Sequence, residues 1–131
     1  RSARAMREDA VELRLKQAEE ELKEEDWEVR LKAIQEVSQL PNGAAQRLLD
    51  RIVDAAKGDG IAEVRAGAAR CLASLPEPAA ERAAAALGEA LKDESRHVRA
   101  RAADALAELG PVAGAQAPNL AALMKDNASV P

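Results

Sequence analysis

One pattern recurs along this chain at near-constant spacing, and it constrains the fold more than any other feature. Val29-Arg30, Ala33, Val37, Leu40 and Pro41 return as Val64-Arg65, Ala68, Leu72, Leu75 and Pro76. They return again as Val98-Arg99, Ala102, Leu106, Leu109 and, after one inserted Gly110, Pro111. The first step is 35 residues and the second is 34. Such a period means stacked units, each too small to bury its own apolar face and each relying on its neighbours to do so. Within every copy the apolar positions lie three or four residues apart, which places them on one face of a helix. The proline then stops that helix.

Composition narrows the fold class further. The 131 residues include no Phe, no Tyr and one Trp, and alanine dominates the apolar set. A core of Ala, Leu and Val suits closely packed helices, and nowhere do apolar residues alternate with the period of two that strands need. The chain reads as all-α.

In order along the chain, a first helix is expected from about residue 5 to 25, with Val11, Leu15, Ala18 and Leu22 as its stripe. Glu12 with Lys16 and Glu19 with Lys23 stand four apart in the favourable order, worth a few tenths of a kcal/mol each. The acidic run that ends at Asp26 reads as solvated helix face. Asp26 caps a second helix over 27–40, which is expected to bury Val29, Ala33, Val37 and Leu40. Pro41-Asn42-Gly43 turns the chain into a third helix over 44–57, and Gly58-Asp59-Gly60 breaks that one. A fourth helix is expected over 62–75. Ile61 stands there where the other copies have a polar cap residue, so Asp59 is the expected substitute. A fifth, Ala-rich helix covers 79–92, with Leu87 and Leu91 as its large apolar residues, and a sixth covers 96–109. After Pro111 a short helix over 119–125 carries Leu120, Leu123 and Met124. The units are therefore about 5–41, 42–76 and 77–111, with a partial fourth over 112–131, in a single domain expected to be a segment of a longer protein.

The formal net charge of −4 offers no general attraction to nucleic acid or to anionic lipid. No apolar run is long enough to cross a bilayer. Cys71 is the single cysteine, which excludes an intrachain disulfide and leaves the compartment open. The basic, small-residue start at Arg1-Ser2-Ala3-Arg4 is compatible with the processed edge of an organelle-targeted protein as well as with a cytoplasmic one.

The paired helices, the short period and the motif carried by Asp26-Trp27-Glu28-Val29-Arg30-Leu31-Lys32-Ala33, Glu63-Val64-Arg65-Ala66-Gly67-Ala68 and His97-Val98-Arg99-Ala100-Arg101-Ala102 resemble HEAT repeats. The short, phycobilisome-lyase-like form is the nearest in pattern. Tetratricopeptide repeats share the length but need Tyr and Phe at fixed positions, and armadillo units are longer with three helices. The resemblance implies an α-solenoid of about three and a half helix pairs. It also implies that the arginine row Arg30, Arg65 and Arg99 braces neighbouring turns through Asp59 and Asp93, against the other reading of a basic ladder that grips an anionic ligand.

Chemistry-bearing residues are few. His97 has no Cys or second His nearby with which to share a metal, and it lacks a nucleophile to activate. Cys71 reads as a small half-buried filler at the rim of the core stripe, since a reactive thiol needs an electropositive setting. Trp27 is either a lid on the preceding helix pair or an exposed anchor for a partner. No catalytic, cofactor or metal residues are assigned. The expectation is a non-catalytic scaffold or accessory subunit that meets a protein partner through the row of second helices, with Trp27, Arg30, Lys32, Arg65, Arg96, His97, Arg99 and Arg101 as contact candidates. The lyase-like resemblance implies bilin attachment to an antenna protein as an alternative. DNA binding is disfavoured by the net charge and the lack of aromatic platforms.

Overall fold

The computed structural model describes residues 2–111 and residue 114, and the expected helix over 119–125 lies outside the described residues. Six α-helices are present among them: α1 (Ala3–Glu21), α2 (Trp27–Ser38), α3 (Leu49–Gly58), α4 (Ala62–Leu72), α5 (Ala79–Ala90) and α6 (Arg96–Leu109). A stretch of 3₁₀ turns, Pro41–Leu48, leads into α3. The second helices α2, α4 and α6 pack side by side in one layer, and α1, α3 and α5 with the 3₁₀ stretch form the other. The pairs α3–α4 and α5–α6 join the two layers. This is an all-α solenoid.

Local chemistry explains the element boundaries. Ser2, Asp26 and Ser95 cap α1, α2 and α6, accepting from the N–H groups of Ala5, Glu28 and Val98 respectively. Ile61 gives no cap; instead Asp59 Oδ1 accepts from the Ile61 N–H at 2.9 Å and shapes the entry to α4. The stretch expected to be helical from residue 44 is 3₁₀ up to Leu48. Its start has no side-chain cap, and Gly43 sits at a φ of +66°, which does not belong to an α-helix. At that φ a side chain would be strained, and a Cβ there would also meet the Pro76 ring at 3.1 Å.

Four helices end earlier than the sequence pattern implies, α2 among them at Ser38, where bonds spanning three residues begin. α1 tightens at its end into bonds spanning three residues, the Lys23 and Glu24 N–H groups donating to the Glu20 and Glu21 carbonyls, and beyond it the Glu24 and Glu25 carbonyls accept from Arg30 Nη1. The end of α5 is similar, with the Asp93 and Glu94 carbonyls taken by Arg99 Nη1. α4 tightens at Leu72 into bonds spanning three residues, ahead of Pro76.

The core runs the length of the array, from Leu15 and Ala18 through Ile34, Val37, Ile52, Val64, Leu72 and Leu87 to Val98 and Leu106. α4 is flanked by α2, α3, α5 and α6, and most of its residues are buried. The expected burial of Val29 and Leu40 is incomplete: both are half-buried, and Ile34 takes the fully buried place on α2. On α5 the buried face is nearly all alanine, so backbones approach closely around Leu87 and Leu91. Glu12 and Glu19 do not pair along α1 as expected. They reach across to Arg47 and Arg51, and Arg82 with Asp50 and Lys57 with Glu89 continue that ladder between successive first-layer helices.

Candidate partner-binding face

The arginine row is built by the repeat itself. Each Val-Arg step lies in the first turn of a second-layer helix; Val64 and Val98 face the core, Val29 is half-buried, and the arginines face the connecting turns. The fork of Arg30 donates to both carboxylate oxygens of Asp59, at 2.8 and 3.0 Å, and its Nη1 donates to the Glu24 and Glu25 carbonyls. Arg65 repeats the arrangement one unit on. It donates to Asp93 at 2.9 and 3.1 Å and to the Asp59 carbonyl at 2.8 Å. Arg99 reaches the Asp93 and Glu94 carbonyls. Asp59 and Asp93 each also accept from an amide two residues ahead, Ile61 and Ser95.

Arg30 and Arg65 thus each tie their own turn to the next, and Arg99 closes its own turn. Paired, fork-to-fork contacts of this kind are among the stronger charge-assisted hydrogen bonds, and a lysine cannot reproduce them. The Arg65 side chain is 9% exposed. Burial by itself raises the Asp93 carboxyl, but the Arg65 guanidinium and the Ser95 amide outweigh it and hold it below its ordinary value. Asp59 is held low by the same balance, with Arg30 and the Ile61 amide. The hydrogen bonds to Asp59 and Asp93 hold Arg30 and Arg65 above the ordinary arginine value. These two charges are consumed inside the fold.

A different region of the second-layer helices is open. Between α2, α4 and α6 runs a groove of about 530 Å³ with Leu31, Ala66 and Gly67 on its floor. Gly67 sets its depth: a Cβ there would lie 2.4 Å from Leu31 Cδ1. Gln35, Ser38, Gln39 and Ser74 line one part, and Glu63, Arg70, His97 and Arg101 the other. Among the described residues Arg70 and His97 make no hydrogen bond or ion pair. Arg101 touches Asp104 at 3.5 Å, and its Nε is buried with no acceptor.

The contact candidates read from the sequence therefore separate. Arg30, Arg65 and Arg99 lie on the turns. His97 and Arg101 line the groove, and Lys32 is exposed on α2, 3.9 Å from Glu36. Arg96 is exposed at the start of α6, and Trp27 is half-buried against the core. Sequence reasoning missed Arg70, Gln35 and Gly67. The repeat register carried a signal for them, because Gln35, Arg70 and Asp104 are 35 and then 34 residues apart and so share a row.

Cys71 is more buried than expected, 2% exposed, and that burial pushes its thiol up to about 12. Among the described residues no group of three or more His, Cys, Asp or Glu side chains could hold a metal ion, and no helix is long and apolar enough to cross a membrane. Comparison with protein-family models matches residues 49–130 to the family described as HEAT repeats. Comparison with curated proteins finds no match.

Proposed function

The chain belongs to the HEAT-repeat family, and from that premise we propose a non-catalytic scaffold that receives a protein partner on the face of α2, α4 and α6. Stacked repeats of this kind produce extended surfaces on which partners lie. The observation that carries the reading is the division of labour among cations. Arg30 and Arg65 are spent on bracing turns, whereas Arg70 and Arg101 line an open groove with little or no internal pairing, and Lys32 and Arg96 are exposed on α2 and α6. Trp27 sits at the edge of the same face. We assign Arg99 to bracing with Arg30 and Arg65.

The 34- and 35-residue spacing favours the short, phycobilisome-lyase-like form of the repeat, and units dividing near Pro41, Pro76 and Pro111 follow from it. A place as accessory subunit in a larger assembly fits a surface with no chemistry of its own. Burial of Cys71 removes the one thiol from the nucleophiles at hand.

Purification of the protein under native conditions, with mass spectrometry and a visible absorbance scan on the same peak, tests this. A stoichiometric protein partner without a chromophore is the expected result. A bilin-like absorbance that travels with the chain, or a peak that holds the chain and nothing else, contradicts it.

A further inference from the structure

We propose that the groove between α2, α4 and α6 takes an extended acidic segment of the partner, with carboxylates on Arg70 and Arg101 and a small apolar side chain over Leu31, Ala66 and Gly67. The proposal rests on the reading of this face as a partner surface and adds the chemistry of what lies in it.

Charge is the first argument. In a chain of net charge −4, Arg30, Arg47, Arg51, Lys57, Arg65 and Arg82 outside the groove each face a carboxylate, although Arg7, Lys92 and Arg96 face none among the described residues. In the groove, Arg70 and His97 have no partner among the described residues, and Arg101 has one distant contact. An array with acidic residues to spare has left these positions uncompensated, and an acidic ligand is the complement.

The buried Arg101 Nε is the second argument. A buried donor without an acceptor costs about 1–3 kcal/mol, and a turn of the Arg101 side chain toward an incoming carboxylate would relieve it. Shape is the third. With no side chain at Gly67, Leu31 Cδ1 lies against α4 there, so α2 and α4 come close and Leu31 with Ala66 offers an apolar floor to a small side chain. Gln35, Ser38, Gln39 and Ser74 supply amide and hydroxyl groups for the donors and acceptors of an extended chain. Glu63, the one carboxylate in the lining, repels an acidic side chain at its level and so sets the register of the segment toward Arg70. No Phe, Tyr or Trp lines the groove, and His97 is the one ring there, too little of a stacking platform for successive bases, which favours peptide over nucleic acid.

The test uses the whole chain and an array of short peptides graded in Asp and Glu content, with their Asn/Gln and Lys counterparts and a DNA duplex as further probes. Binding is read by fluorescence anisotropy for wild type, Arg70→Glu, Arg101→Gln and Gly67→Leu, each first shown to be folded by circular dichroism. Acidic peptides should bind, the Asn/Gln and Lys counterparts should bind about tenfold more weakly or worse, and Arg70→Glu and Gly67→Leu should each weaken binding by a similar factor. Added salt should weaken it further. Equal binding of acidic and amide peptides that Gly67→Leu still abolishes overturns the charge preference and leaves the partner face standing. Tighter binding of the duplex through the same arginines overturns the peptide chemistry. Peptide binding that none of the variants weakens, or no binding by any probe, also overturns the proposal. The face itself is judged separately, by the native co-purification.

Discussion

Arg65 shows what one residue type does in this protein. Its fork holds Asp93 in the next turn while its third nitrogen holds the Asp59 carbonyl in its own, so it joins two units and closes one turn at once. Arg65→Ala should lower stability by about 3 kcal/mol, because it strands a half-buried carboxylate, and Arg65→Lys should recover less than half of that. Urea midpoints measure both. The carboxyls of Asp59 and Asp93 are held low in the folded chain, so their contribution is fully present above the unfolded carboxylate value of about 3.9 and is lost as pH falls through the lower folded value. Urea midpoints taken from neutral pH downward should therefore drop most steeply below about pH 4, and Asp93→Asn should flatten that drop. Cys71, fully buried with its thiol pushed up to about 12, should stay unmodified by a thiol reagent in the native protein and react once urea unfolds it.

α4 is the element on which the array turns, and it shows how much a sequence can disclose. Its register was legible because Val64, Ala68, Leu72 and Leu75 repeat the apolar positions of α2 and α6, and all four are buried. The groove was not legible. Its depth depends on how closely α2 and α4 approach at Gly67 and Leu31, a distance between helices that no single-chain pattern encodes. The carboxylate half of the braces could be anticipated from the spacing of Arg and Asp, but not the backbone half, in which the arginines hold carbonyls of the turns after α1 and α5. The 3₁₀ stretch before α3 was hidden for a related reason: the residues from Ala44 to Leu48 have helical composition, and no pattern in them announces the left-handed backbone at Gly43, where a side chain would crowd the Pro76 ring. Gly67→Ala should change stability by less than about 1 kcal/mol. The gain in helix propensity of roughly 1 kcal/mol offsets the shift asked of Leu31, whose clashing atom is the tip of a half-buried side chain.

At the scale of the whole molecule, the array is held by apolar stacking and turn braces, while the ion pairs between α1, Arg47, α3 and α5 lie in water. Such exposed pairs are worth about 0–1 kcal/mol each and are screened by salt, so moderate salt should leave the melting temperature nearly unchanged. Stability in a stack is a sum over neighbours, and damage at one place should spread outward from there. Leu106→Asp buries an unpaired charge at a position that is 1% exposed, and it should unfold α5 and α6 while leaving more of α1–α3 protected in hydrogen exchange. An exchange pattern and a melt unchanged from wild type would refute that. The central claim is that a protein partner lies on the face of α2, α4 and α6. The most direct measurement places a photo-crosslinking residue singly at exposed Gln35 or Ser74 beside the groove, or at exposed Asp54 or Ala85 on the first-layer helices, in the native complex. Crosslinks to the same partner from Gln35 and Ser74, and none from Asp54 or Ala85, are the predicted result. Crosslinks from Asp54 and Ala85 with a silent groove would contradict it.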